Sequence, residues 1–504
     1  MFLKVSARRW SRRLVCVALA LLSESGWAQA ETLSDAIALA YQTNPTLRAE
    51  RAGLRATDEG YVQARSALGP TISVSAQESF QSAHVDEEPL FSKRTTVHAQ
   101  ATTGSVNLSL VQPLYTAGQL DTRLDAAAAD VRAGREQLRQ TEAQVLQAVV
   151  QAYLDVRRDQ QVLAVAGDEV DALKRQLDEV RAKDVERQVT RTDVSQAEAR
   201  WLAARAQRQL AEGRLQASRA AYLAVVGQNP GDLAPEPGLE GVPATLDQAF
   251  DAAEANNPRF RASVYAEAAA RSRVAEAKAA YGPSISLRVE AGASPVVPYQ
   301  ARDYDRNVTV SALYNQPLFT SGLNASRVRE AAERANQETL NVEAAHRAAI
   351  EAVAQAWDGL SSARAALGLQ EDQLKAEASA FEGNRIEQRV GLRTTIDVLN
   401  AEQEYQNARI TLLQARHDEY LGRVALLAAM GLLEVRRFSP DVDAYRPEVS
   451  LNRNLRLQTP WTGAVEALDR IGAPRSGRTL ATTPKVGSDR PLDKPLLPPA
   501  EPAQ

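Results

Sequence analysis

ALGPTISVS at residues 67–75 returns as AYGPSISLR at residues 280–288, and this pair decides how the chain folds. In each copy a Gly-Pro step (Gly69-Pro70, Gly282-Pro283) stops a helical pattern and opens a stretch of alternating apolar and polar residues. Ile72, Val74 and Ala76 alternate with Ser73, Ser75 and Gln77, and the second copy repeats this with Ile285, Leu287 and Val289. The match extends both ways along the chain. ETLSDAIALAYQTNP (31–45) pairs with ATLDQAFDAAEANNP (244–258), VQPLYTAG (111–118) with NQPLFTSG (315–322), and DVSQAEARWLAAR (193–205) with DVLNAEQEYQNAR (397–409). The offset is 213 residues before the middle of each half and 204 after it, which puts nine extra residues between Ser75 and Val111. A period of about 200 residues far exceeds solenoid repeats and marks a duplicated half-domain.

Each half reads as helix, strand, loop, strand, long helix, turn, helix. The first helix covers about residues 33–67, with a break at Asn44-Pro45. Gly104 to Gln112 alternates like the first strand, and Val308 and Val310 alternate with Asn307, Thr309 and Ser311. Polar loops at 82–103 and 294–305 join the strands, and the first loop is expected to hold the extra residues. Pro113 and Pro317 are expected to end the returning strands, because proline has no N–H for a ladder. Helix resumes near Gly118 and Gly322 and runs without proline to about Val185 and Ile386. Some 65 residues give roughly 100 Å of helix, with Leu138, Val145, Val149 and Leu154 at coiled-coil-like spacing. Return helices then lead to Gly227 and Gly431. The resulting plan is a first repeat at 31–230, a linker at 231–243, a second repeat at 244–435 and a Pro-rich tail at 436–504. Ten of the 23 prolines lie in that tail, which is expected to be largely disordered, above all at 475–504. Trp461 marks a short docked segment within it.

Residues 1–30 have the form of a secretory signal. Lys4, Arg8, Arg9, Arg12 and Arg13 precede an apolar run at 14–22, and Ala28-Gln29-Ala30 is a small-x-small cleavage site. The single cysteine, Cys16, falls inside this signal and lacks lipobox surroundings. The mature chain therefore has no disulfide, thiol nucleophile or cysteine metal site. Removing five cations and one anion shifts the formal charge from −4 to about −8, which argues against nucleic acid as a partner. No phosphate-binding glycine loop, HExxH motif or nucleophile elbow is present. No cofactor, metal site or enzyme activity is expected.

Four alternating strands of about nine residues suffice to cross an outer membrane when tilted. They cannot close a barrel alone, since the smallest membrane barrels use about eight strands. Two copies give eight strands with the interior filled by side chains, and three give twelve with room for a lumen. Polar strand faces turned to water inside favour a homo-oligomer with one shared barrel, expected to be a homotrimer. The Gly-Pro strand openings, the Gln-Pro-Leu-aromatic-x-x-Gly junctions (Pro113 to Gly118, Pro317 to Gly322), TRTDVSQAEAR (190–200) and GLRTTIDVLNAEQEYQNAR (391–409) together resemble the TolC family of outer-membrane channel proteins. The likeness covers nearly all of residues 31–433 and is strongest to the branch that serves type I secretion. It implies an α+β membrane protein, a trimeric 12-stranded outer-membrane β-barrel (four strands per chain) continued by a long periplasmic α-helical coiled-coil barrel. It also implies a periplasmic adaptor (membrane fusion) protein and an inner-membrane ABC transporter or proton-driven pump as partners, with outer-membrane lipid around the strands. Two other readings compete: a periplasmic adaptor, which would carry one hairpin flanked by compact β domains, and a structural coiled coil of the envelope. Neither needs duplicated membrane-length strands.

A tube of this kind needs a closure at its membrane-distal end, and the turns at 186–193 and 388–397 are the natural place. The resemblance implies gate roles there for Arg393 and Asp397 in the second half and Thr192 and Asp193 in the first. Two aspartates per chain make six per trimer. Three neighbours depart from the family pattern: Asn400 stands where an aspartate is familiar, Gln388 where a tyrosine is, and Arg187 where the turn usually has glycine. The plainer alternative is a local ion pair between Arg393 and Asp397, four residues apart on one helix. Tyr115 and Phe319 occupy equivalent junction positions and fit either a membrane-interface belt or corner packing; Tyr299 and Tyr304 are candidates for the outer interface. Ala197-Glu198 and Ala401-Glu402 read as small-residue helix seams. His84 and His98 share the first loop, and His346 and His417 are expected at the surface of helices.

Overall fold

The computed structural model describes residues 30–87, 95–295, 304–440, 442–454 and 461–474. The signal segment, Tyr299 and residues 475–504 lie outside the described residues. The described helices are α1 (Leu33–Thr43), α2 (Pro45–Ser66), α3 (Gln119–Val185), α4 (Arg191–Val226), α5 (Leu246–Asn256), α6 (Pro258–Ala279), α7 (Leu323–Arg389), α8 (Thr395–Ala429), α9 (Val435–Phe438), α10 (Pro447–Asn454) and α11 (Thr462–Arg470). Among them α3 and α7 have 67 residues each, about 100 Å of helix. None is long and apolar enough to cross a membrane. The chain divides into two compact units. One holds the described parts of Ala52–Gln137, Arg259–Arg347 and Arg446–Gln504; the other holds those of Met1–Arg51, Leu138–Pro258 and Ala348–Tyr445.

The first of these units contains a single antiparallel sheet in the order β1 (Thr71–Glu87), β2 (Thr95–Tyr115), β3 (Ser284–Pro295), β4 (Tyr304–Asn315). Its register lines up the alternation of all four strands. Val74 faces Leu108, Leu108 faces Ala291 and Ala291 faces Val308, and the next such row is Ile72, Leu110, Val289 and Val310. The interleaved rows are polar: Ser73, Ser109, Glu290 and Thr309, then Ser75, Asn107, Gly292 and Asn307. Because side chains alternate with period two, the two sets occupy opposite faces. Ile72, Val74, Val308 and Val310 are each 65–73% exposed in the chain. A continuous apolar face left open in this way requires an apolar environment.

Two expectations about this unit need correction. The nine extra residues do not enlarge a loop: β1 and β2 have 17 and 21 residues against 12 each in β3 and β4. Most of the segment expected as a loop at 82–103 is therefore strand, since each strand supplies the other's backbone partners whether or not its side chains alternate. His84 and His98 sit opposite each other in that ladder, and their side chains lie outside the described residues. Pro113 does not end β2 either. It lies inside the strand, where the register shifts between Pro113 and Tyr115, a bulge that tolerates the missing N–H. Pro317, by contrast, follows the end of β4 as expected. Within the tail the described residues include α10 and α11, and α11 begins just after Trp461 as the short docked segment expected there.

The tail has a definite task in this unit. Thr462 and Val465 of α11 are buried, and Val465 packs with Ala64, Leu68 and Leu124, whereas Trp461 itself is 51% exposed. Asp469 is 1% exposed and accepts hydrogen bonds from the Thr116 N–H (2.5 Å), the Gly118 N–H (3.3 Å), the Asp121 N–H (3.2 Å) and the Thr116 hydroxyl (2.9 Å). It thus satisfies N–H groups that the first turn of α3 leaves unpaired, as an N-cap brought from the far end of the chain. Arg470 pairs with Asp121 at 3.1 Å, and a Cβ added to Gly472 would collide with the Tyr115 ring.

The second unit owes its repeat to one residue type. α1 ends at Asn44 and α5 at Asn257, each just before a proline that starts the next helix. The Asn44 side-chain amide donates to the Val225 carbonyl (3.0 Å) at the end of α4, and Asn257 donates likewise to Ala429 (2.9 Å) at the end of α8. The Asn-Pro step is therefore both a break and a tie to the return helix of its own half. Ile37, Tyr153, Tyr222, Leu426, Leu427 and Met430 are buried in the core that these ties surround.

Hydrogen bonds to a charged acceptor contribute about 1.5–3 kcal/mol each, so Asp469→Ala is expected to release α11. Limited trypsin digestion should then cut at Arg470 much faster than in the unaltered protein, with helix content by circular dichroism nearly unchanged. Equal cleavage rates would show that α11 docks without Asp469.

Candidate functional site at the two hairpin turns

Both turns close by the same backbone device. After α3, Gln188 N–H donates to the Lys183 carbonyl and Arg187 N–H to Asp184; after α7, Leu392 N–H donates to Glu387 and Gly391 N–H to Gln388. These are Schellman closures, whose C′ residue adopts the left-handed conformation. In the second half that residue is Gly391 (φ 80°), and in the first it is Arg187 (φ 59°). The missing glycine therefore does not reshape the turn. It puts a non-glycine side chain into the same turn at a cost of about 1–2 kcal/mol.

The return helices start alike as well. Thr190 and Thr394 are N-caps in reciprocal boxes with Asp193 and Asp397. The Thr190 N–H and hydroxyl donate to Asp193 Oδ2 at 2.9 and 2.8 Å, and those of Thr394 donate to Asp397 Oδ2 at 3.0 and 2.7 Å. These bonds hold both carboxyls below the usual carboxylate range: for Asp193 the backbone N–H of Thr190 dominates, for Asp397 the Thr394 hydroxyl. The T-x-x-D pattern in Thr190 to Asp193 and Thr394 to Asp397 is a capping-box signature that the family likeness overshadowed in the sequence.

The remaining site residues divide. Arg393 does not pair with Asp397. Its Nε donates to Glu387 Oε2 at 2.8 Å, and this bond raises its pKa. Gln388 donates to the Thr395 hydroxyl at 3.3 Å. Arg187 and Thr192 are exposed. Asn400 accepts from Arg200 Nη2 at 2.9 Å, a partner on α4 that no local pattern indicates. Ala197 is buried, in keeping with a helix seam, but Glu402 is buried too, and burial followed by the nearby Glu169 pushes its carboxyl up.

Two histidines expected at the surface are inside. His346 is 7% exposed with its ring 5.4 Å from Phe260. His417, 9% exposed, has Nε2 at 2.8 Å from Asp155 of α3 and Nδ1 at 2.9 Å from Asp418, with Arg158 also near. Burial depresses its pKa, but the two carboxylate hydrogen bonds outweigh this and raise it overall. At the strand–helix junctions, Tyr115 is half-buried while Phe319 is 86% exposed. Among the described residues no cluster of His, Cys, Asp or Glu could hold a metal.

An open-faced sheet with apolar and polar sides, joined in one chain to two capped helical hairpins, defines the class of outer-membrane channels. The chain belongs to the outer membrane efflux protein family, whose sequence pattern matches residues 36–228 and 249–432. It is similar to the outer membrane efflux protein BepC of Brucella suis biovar 1, with 32% identity over 421 residues covering 84% of this chain and 90% of that protein. It is also similar to the outer membrane protein TolC of Escherichia coli, at 23% identity over 90% of this chain and 92% of TolC. In fold it resembles the CmeC outer membrane channel of Campylobacter jejuni, with a TM-score of 0.70 at 15% identity over 84% of this chain and 89% of that one. The fold is that of the trimeric TolC-like channels, four strands per chain, and the protein is an outer-membrane duct for efflux or secretion that extends into the periplasm.

Arg187→Gly should relieve the turn by about 1 kcal/mol, slowing hydrogen exchange of the turn amides about fivefold; an unchanged rate would remove the strain argument. For His417 the raised pKa means its contribution is complete below the unfolded value near 6.5 and is lost as pH rises through the folded value. His417→Gln should therefore lower the thermal midpoint more at pH 5.5 than at pH 9, and an equal loss at both would show that the ring's charge does not matter.

Proposed function

We propose that the protein is the exit duct of a tripartite envelope assembly, taking cargo from an inner-membrane ABC transporter or proton-driven pump through a periplasmic adaptor protein. The observation that carries this reading is the pairing, within each repeat, of a strand hairpin with an apolar face and a helical hairpin whose capped turn is exposed. The apolar rows through Ile72, Val74, Val308 and Val310 suit lipid, and the polar rows through Ser75, Asn107 and Asn307 suit a water-filled lumen. Phe319, exposed just after β4, suits the periplasmic membrane interface. Tyr115 serves corner packing beneath the tail instead.

In this reading the two turns form the gate. Asp193 and Asp397 are ionised well below neutral pH because their caps hold them so, and rings of such carboxylates favour cations. Arg393 holds Glu387 within its own hairpin, and the closed state needs it to exchange that partner for one on a neighbouring chain. Arg187, Gln388 and Asn400 shape the surroundings of the gate, and Thr192 lies beside Asp193 at the exposed tip.

Planar-bilayer recordings test this. Arg393→Ala should raise single-channel conductance, and Asp397→Ala should lower cation preference. Thr394→Ala, which removes the cap but keeps the carboxylate, should change the preference far less. Conductance and selectivity identical to the unaltered channel in both Arg393→Ala and Asp397→Ala would rule out the gate. Loss of export with the barrel intact, after charge reversal at the turns, would support adaptor engagement there.

A further inference from the structure

Within one chain, a polar tie between the two hairpins close to their turns involves neither Arg393 nor Asp397. Arg200 lies on α4, seven residues past Asp193, about 10 Å along the helix. Its guanidinium reaches across to α8 and donates through Nη2 to Asn400 Oδ1 at 2.9 Å and through Nη1 to Gln403 Oε1. Asn400 and Gln403 are three residues apart, so they present their amide oxygens side by side on one helix face. A planar fork can serve both at once, which a lysine ammonium cannot match in geometry.

The tie sits beside an apolar contact between the hairpins. Ile396 and Leu399 of α8 pack with Val170 and Leu173 of α3 and with Trp201 and Ala204 of α4. Dispersion and burial bring the hairpins together there without fixing register, because apolar contacts are non-directional. The fork adds direction: it is satisfied only at the rotation of α8 that turns Asn400 and Gln403 toward α4. Its acceptors are uncharged, unlike the carboxylates held by Arg393 and by His417, so neither pH nor salt should weaken it much.

We infer that Arg200 is a positioning residue of the channel entrance, its fork to Asn400 and Gln403 fixing the two hairpins of a protomer against each other and limiting how far the entrance opens. This rests on the duct reading. Asn400, which looked like the loss of an acidic group, is on this view the neutral acceptor of a cross-hairpin clamp.

The test is single-channel conductance of the purified trimer in planar bilayers. Arg200→Ala should raise mean conductance about twofold or more, Arg200→Lys should give an intermediate value, and the rise should persist in 1 M KCl. Where Arg200→Ala fails to assemble, Asn400→Ala with Gln403→Ala removes the same clamp from the other helix. Combining both sides should add little to either alone, as expected for one shared interaction. Conductance unchanged by the Arg200 and the Asn400/Gln403 substitutions, while Arg393→Ala raises it, would overturn the clamp and leave the gate standing. Additive effects would overturn it too. Failure of the unaltered protein to form any channel would instead sink the duct reading itself.

Discussion

A β-strand cannot face hydrocarbon with its backbone N–H and C=O groups unpaired, since each such group costs several kcal/mol. The sheet of this chain has two such edges, on β1 and β4, and its apolar face is open. The rest of the structure follows from that constraint. Four strands can neither curl shut nor hide, so the edges must be met by those of other copies, and twelve strands from three chains are the arrangement that the family uses. The polar rows then face inward together and define a path for water and cargo.

Duplication solves a second problem. Two copies of one plan give each chain two strand hairpins and two helical hairpins, and the same local devices recur: an Asn-Pro tie to the return helix, a Schellman closure and a Thr-Asp capping box. The copies diverge where each meets something different. The first strand–helix junction is roofed by α11, whose Asp469 caps α3, while Phe319 at the second junction stays 86% exposed. Arg187 bears a strain that Gly391 avoids. The helical end is likewise asymmetric within each protomer, with Arg393 held by Glu387 in one turn and no equivalent pair among the described residues of the other.

Much of this was legible from local pattern. Alternation disclosed the strands because one face meets lipid and the other water, and the Gly-Pro and Gln-Pro-Leu steps bracketed them. The full extent of β1 and β2 was not legible. Ala83 and Val85 alternate with His84 and Asp86, and Val97, Ala99 and Ala101 with His98, Gln100 and Thr102, but alanines among many polar residues make this alternation weaker than that of Ile72 and Val74. Of the turn residues, Asp193 and Asp397 were picked out, yet their immediate bonding partners are Thr190 and Thr394. A T-x-x-D pattern before an apolar helix could have shown this. Asn400 was noticed as a departure, but nothing near it in the chain points to Arg200.

The sequence by itself determined the duplication, the strand faces, the helix lengths and the turn positions, since period and punctuation are properties of neighbours a few residues apart. Tertiary structure alone decided the partners. Arg200 meets Asn400 across 200 residues, His417 meets Asp155 across 262, and Asp469 reaches Thr116 across 353. Each contact depends on which helix faces pack together and at what rotation. Charge and hydrogen-bonding capacity were visible in the chain, but the geometry that joins them comes from packing.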